Sequence, residues 1–214
     1  MKKLVRVSLS VLAAVALISF VGCKNDSEPE PAPANFVGEW RSPDGGFTCT
    51  ITTDKFTTKV DGGGEFSGTY TVSGSTLTTS EITLPQEIGG QKMKFTMKLK
   101  DGESDVMELQ LPEEMGGNAI LVKKSTEKVD LTGTWKGKVV SANNADATIV
   151  FADNEATLTA GGGSAVSTNV DQNGNFFTIT WQEGNQLNLS EPTTGLISVS
   201  GKAWLDDGSV FTKN

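Results

Sequence analysis

The chain has 214 residues, with 18 Lys and Arg, 26 Asp and Glu, 24 Gly, two Cys and no His. Without histidine, the commonest general base, transition-metal ligand and haem ligand are missing, which argues for a non-catalytic protein that needs no cofactor. The acidic balance repels phosphate backbones, so nucleic acid is not an expected partner.

Read from the amino end, Lys2, Lys3 and Arg6 precede the uncharged run Val7 to Gly22. A basic start, an apolar stretch and a small residue at the cut predict a cleaved secretory signal over residues 1–22. The sixteen uncharged residues fall short of the ~20 needed to span a bilayer. Ser19-Phe20-Val21-Gly22-Cys23 resembles the lipobox of bacterial lipoproteins. That resemblance implies a diacylglycerol on the Cys23 thiol and an acyl chain such as palmitate on its new amino group. Two or three such chains hold durably to a membrane at ~0.8 kcal/mol per buried methylene. An ordinary secretory signal followed by a chance cysteine is the alternative. Lys24, with no aspartate beside Cys23, fits lipoproteins sorted to an outer membrane. Asn25-Asp26-Ser27-Glu28 resembles the lysine-plus-acid signals that send some of them to the cell surface, and both membrane faces stay open.

Removing residues 1–22 takes away three of the basic residues and none of the acidic ones, leaving 192 residues with a net charge of −11. Residues 23–35 alternate prolines with acids and alanines and read as a disordered, extended tether. At ~3.1 Å per residue it holds the folded body about 30 Å from the anchor.

Beyond the tether the chain repeats itself. Phe36-Val37-Gly38-Glu39-Trp40 matches Leu131-Thr132-Gly133-Thr134-Trp135. Asp54 precedes Gly62-Gly63-Gly64 by eight residues, and Asp153 precedes Gly161-Gly162-Gly163 by eight. Two homologous lobes follow, 36–124 and 131–214, joined by polar Ser125-Thr126-Glu127-Lys128. Period-two patterning, frequent turn signals and no helical periodicity predict an all-β protein. Each lobe has seven to nine short strands in a small antiparallel meander barrel or flattened sandwich.

Within the first lobe, Phe47, Cys49 and Ile51 share one strand face, so Cys49 is expected to be a buried, inert thiol. The stretch Lys92 to Lys100 alternates Met93, Phe95, Met97 and Leu99 with lysines and Thr96. After a turn at Asp101-Gly102-Glu103 the chain returns with Met107, Leu109 and Leu111 inward and Glu108 opposite one of the lysines. Leu84-Pro85-Gln86-Glu87-Ile88-Gly89-Gly90 and Leu111-Pro112-Glu113-Glu114-Met115-Gly116-Gly117 read as loops at one end of neighbouring strands. Ile88 and Met115 then form either a small contact patch or loop packing on the barrel end.

In the second lobe, Asp171-Gln172-Asn173-Gly174-Asn175 superficially resembles a calcium loop. Its glycine stands at the fourth place rather than the sixth and no glutamate closes it at the twelfth, so a hairpin turn at Asn173-Gly174 is expected. Leu205-Asp206-Asp207-Gly208-Ser209 reads as another turn before the last strand. Neither Glu113-Glu114 nor Asp206-Asp207 shows the buried setting that would hold one acid protonated for catalysis.

The paired Gly-x-Trp motifs, Gly38-Glu39-Trp40 and Gly133-Thr134-Trp135, are similar to the first barrel strand of lipocalins and bacterial lipocalin-like lipoproteins. The resemblance implies that each tryptophan closes a barrel floor and that a cavity takes a small apolar ligand. The late arginine that packs over this tryptophan in the family has no evident counterpart here. On this reading the ligand contacts are Trp40, Met93, Phe95, Met97, Met107 and Trp135. Trp40 and Trp135 are equally readable as core plugs. If side chains fill the barrels, recognition of a protein partner, as by an adhesin or protease inhibitor, replaces ligand binding. A purely structural envelope component is the remaining possibility.

Overall fold

A computed structural model of the chain describes residues 35–86, 89–111 and 117–214. The signal, Cys23 and the tether lie outside the described residues, as do Ile88, Glu113-Glu114 and Met115. The fold is all-β, two tandem antiparallel barrels, as the patterning predicts. No helix among the described residues is long and apolar enough to cross a membrane.

Lobe 1 comprises β1 (Gly38–Arg41), β2 (Phe47–Ile51), β3 (Phe56–Val60), β4 (Gly64–Gly68), β5 (Tyr70–Ser73), β6 (Thr76–Thr79), β7 (Ile82–Thr83), β8 (Lys92–Met93), β9 (Thr96–Leu99), β10 (Val106–Gln110) and β11 (Ala119–Lys123). Its nine-stranded sheet runs β4-β3-β2-β1-β11-β10-β9-β6-β5. Only Thr69 separates the two terminal strands, so the sheet curls nearly shut. Strands β7 and β8 form a separate two-stranded hairpin. The single long strand read over Lys92 to Lys100 is therefore two pieces with a break at Lys94-Phe95, although Phe95, Met97 and Leu99 all point inward. Glu108 does stand opposite Lys98.

Lobe 2 comprises β12 (Gly133–Val139), β13 (Ala145–Ala152), β14 (Glu155–Ala160), β15 (Gly163–Asn173), β16 (Phe176–Trp181), β17 (Thr193–Ile197), β18 (Lys202–Leu205) and β19 (Val210–Lys213). These eight close into a meander barrel in chain order. A register shift between Ser167 and Asn169 lets β15 bend from β14 to β16. The corresponding point in lobe 1 is the break at Thr69.

Strand pairing refines the repeat. Ile51 pairs with Phe56 as Phe151 pairs with Ala156, which puts Asp54 level with Asn154 rather than Asp153. The glycine turn of lobe 1, residues 61–63, is one residue longer than residues 161–162 of lobe 2, and this offsets the one-residue displacement of the aspartate to give the equal spacing of eight. The second-lobe hairpin turn also lies one residue later than expected. Asn173 pairs with Phe176, and Gly174, at φ +62°, turns the chain together with Asn175.

Each lobe has its own core. Trp40, Cys49, Phe56, Met97 and Met107 pack in lobe 1, and Trp135, Ile149, Phe151, Phe177 and Phe211 in lobe 2. A third apolar cluster joins the lobes through their outer faces: Val106 and Val122 against Leu196 and Trp204, flanked by Ile120, Phe176 and Val210. The Arg41 guanidinium lies 4.1 Å over the Phe176 ring and Lys100 Nζ lies 5.4 Å over Trp204. The lobes are thus packed together, with the barrels side by side. The β9–β10 turn meets the β17–β18 turn through Asp105 and Val199. Towards the opposite end, Thr194 Oγ1 donates to Pro43 O at 2.7 Å. The Trp40 and Trp135 floors therefore lie at one end of the molecule and both mouths at the other.

Candidate functional site

The two floors share one construction. Trp40 Nε1 donates to Phe36 O at 2.8 Å, and Trp135 Nε1 donates to Leu131 O at 2.7 Å, which satisfies a buried indole at each floor. Lys123 and Lys213 are the last-strand partners of Trp40 and Trp135 in the ladders. Their ammonium groups lie 5.6 and 5.9 Å over the indole rings. A late lysine thus covers each of the two tryptophans. The motif glycines make this approach possible. Gly38 and Gly133 sit at φ +143° and +120°, and a Cβ on Gly38 would lie 2.5 Å from Lys123 Cε.

The sequence-predicted ligand contacts of lobe 1 lie in packed core. Trp40, Met97 and Met107 are wholly buried, and Phe95 nearly so. Phe95 stacks on Phe66 at 5.6 Å. Met93 is half-buried on the β7–β8 hairpin opposite Ile82. This hairpin closes the mouth of the barrel: Ile82 and Leu84 are buried in the lobe 1 core, and a Cβ on Gly68 would lie 2.8 Å from Ile82 Cγ2. Trp135, in lobe 2, is a buried floor residue. Cys49 is buried as expected, and burial pushes its thiol up to about 11.

Lobe 2 is closed less completely: Leu187 and Leu189 of the 182–192 loop pack against its core but are only partly buried. Counting along the paired strands, Phe66 is replaced by Ala165 and Phe95 by Thr193. Three and five residues beyond the matched pair Thr79 and Ile179, Ile82 and Leu84 give way to Gln182 and Gly184. The result is a cleft of about 310 Å³ at the lobe 2 mouth, at the small end of the about 300–1,000 Å³ seen for ligand pockets. Val139, Ile149, Leu158, Trp181, Leu189 and Leu205 form its apolar wall. These residues come from five strands, β12, β13, β14, β16 and β18, plus the 182–192 loop, because inward positions recur every second residue.

The cleft is held open by polar contacts around it. Trp181 Nε1 donates to Thr193 Oγ1 at 2.9 Å, fixing the indole as a wall. Asn185 braces the loop: its Nδ2 donates to Gln182 O and Leu189 O at 2.8 and 2.7 Å, and its Oδ1 accepts from Leu187 N and Leu189 N. The loop is pinned to β15 where Ser164 N donates to Gln186 Oε1 at 3.0 Å. The charged lining residues, Glu191, Asp206 and Asp207, are all acidic. Loss of solvent around the Asp206 carboxylate raises its pKa, against hydrogen bonds from Thr194. Burial also resists ionisation of Asp207, but hydrogen bonds from Ser209 and Ser141 outweigh it and hold that pKa low. Asp207, expected to lie in a fully open turn, is half-buried and ties the rim together.

A group that sequence reasoning missed locks the lobes together. Asn175 is buried; its Nδ2 donates to Lys123 O and Ile197 O, both at 2.9 Å, and its Oδ1 accepts from Ser125 N at 2.9 Å. Gly174 beside it faces the linker so closely that a Cβ would lie 1.9 Å from Ser125 O. The only sequence signal was the turn glycine itself. Among the described residues no cluster of three or more His, Cys, Asp or Glu is placed to hold a metal ion. No known protein family matches this sequence, and no curated individual protein matches it either.

Proposed function

We propose that this chain is a lipid-anchored bacterial envelope lipoprotein of the outer membrane, with two lipocalin-like lobes and a binding rather than catalytic role. Acyl chains on Cys23 hold it to the membrane. Lobe 1 is a filled support, and the mouth of lobe 2 takes a small apolar ligand or an apolar group of a protein partner. The observation that carries this reading is the contrast between the lobes: the same barrel mouth is plugged by Ile82 and Leu84 in one and open around Trp181 in the other. The lysine-covered tryptophan floors support the lipocalin likeness. The absence of histidine supports a non-catalytic role. The described chain enters lobe 1 at the floor, through Asn35 and Phe36, at the end opposite the lobe 2 mouth.

A fluorescent fatty acid titrated into the mature protein tests the cleft. Saturable binding at one equivalent is expected, and Thr193→Phe, which restores the lobe 1 residue, should weaken it at least about tenfold. Binding unchanged by that substitution refutes the site. Fatty-acid labelling that persists in Cys23→Ser refutes the anchor.

A further inference from the structure

We propose that the occupant of the lobe 2 mouth is an extended apolar segment of another polypeptide, flanked by basic residues. This rests on the reading of that mouth as the binding site and names the class of occupant. The molecule itself supplies the template. In lobe 1 the equivalent mouth is filled by Glu81-Ile82-Thr83-Leu84, an extended stretch whose residues alternate exposed, buried, exposed, buried. Ile82 and Leu84 therefore enter the barrel as an i, i+2 pair from one face of a strand. Leu84 N donates to Gln91 O at 2.9 Å, so backbone pairing holds the plug as well as its side chains. Lobe 2 keeps the barrel but carries Gln182 and Gly184 at those positions; Leu187 and Leu189 of the following loop pack against its core only partly buried, and a cleft of about 310 Å³ remains beside them. An extended segment supplied by a partner would fill that cleft with alternate side chains from one face, which set its selectivity.

Charge selects among such strands. Glu191, Asp206 and Asp207 border the cleft and no lysine or arginine does, so a basic flank is attracted and an acidic one repelled. The acidic N-terminal segment of this chain belongs to the repelled class. It carries Asp26, Glu28 and Glu30.

Calorimetric titration of the full mature protein with three synthetic peptides tests the proposal. Lys-Ile-Thr-Leu-Lys is expected to bind, Glu-Ile-Thr-Leu-Glu to bind at least about tenfold more weakly, and Lys-Ser-Thr-Ser-Lys not to bind. Glu191→Lys should narrow the gap between the first two peptides, and Thr193→Phe should abolish binding of both. Since Thr193→Phe can disturb folding, Glu191→Lys at the exposed rim provides the independent readout. Equal binding of the lysine- and glutamate-flanked peptides overturns the proposal. So does saturable binding of the fluorescent fatty acid with no peptide bound, although the cleft itself then stands as a ligand site. If neither fatty acid nor peptide binds, both readings fall.

Discussion

At the scale of single residues, two buried acids at the lobe junction have opposite electrostatics. Glu103, with a side chain only 3% exposed, accepts from Lys202 Nζ at 2.6 Å. Asp105 accepts from Val199 N at 2.6 Å. Burial works against ionisation of Glu103, but the hydrogen bond from Lys202, with the charges of Lys202 and Lys100, brings its pKa below 4.5. Burial dominates at Asp105 and raises its pKa above 3.8, and the neighbouring Glu103 charge adds to the rise. A lowered folded pKa means that Glu103 stabilises the fold above its ordinary value and loses that contribution as pH falls through the folded one. Asp105 has the reverse sign, favouring the fold most below 3.8 and losing that as pH rises through its folded value. Glu103→Gln should lower unfolding free energy at neutral pH by about 1–3 kcal/mol, discounted because Lys202 is partly solvated. Both chains carry Asp105, so the comparison largely isolates Glu103. Denaturant titrations across pH should show the difference shrinking on acidification, and a gap independent of pH would contradict the assignment. None of this was legible in the sequence, where Asp101-Gly102-Glu103 reads only as a turn.

At the scale of elements, alternation located most of the strands and their inward faces. Met97, Leu99, Met107 and Leu109 all point into lobe 1, as period two requires. Patterning could not show that Lys92 to Lys100 breaks at Lys94-Phe95, because the inward period continues through the break. The plug was invisible for a related reason. Ile82 and Leu84 alternate like any strand, and only the path of the chain folds them over the mouth. Leu84→Ala is expected to cost about 2–4 kcal/mol and to open a void in lobe 1. The apolar fluorophore should then bind at two equivalents rather than one. Stability lost with binding still at one equivalent would show that the hairpin does not alone keep that mouth closed.

At the scale of the molecule, the linker and Asn175 make one body of two barrels. Three hydrogen bonds from one buried amide tie β11, the linker and β17 together. Asn175→Ala leaves several backbone groups unpaired at a cost of about 2–4 kcal/mol. Equilibrium unfolding of the full chain should change from one transition to two as the lobes uncouple. A single unshifted transition would show that the apolar junction suffices. That junction was unreadable from pattern alone. Val106 and Trp204 are outward-facing residues, and nothing local distinguishes an outward apolar residue that meets a neighbour from one that meets water.

The amino-acid sequence by itself determined the class, the duplication and the inward faces. Each of these follows from short-range periodicity or from a motif repeated in order. Only the tertiary structure decided that lysines cover the floors, that both mouths point one way, and that one mouth is filled while the other is open. Those outcomes depend on long-range register and on residues distant in the chain, such as Trp40 and Lys123 or Leu158 and Trp181, meeting across a closed barrel. No local pattern encodes such meetings.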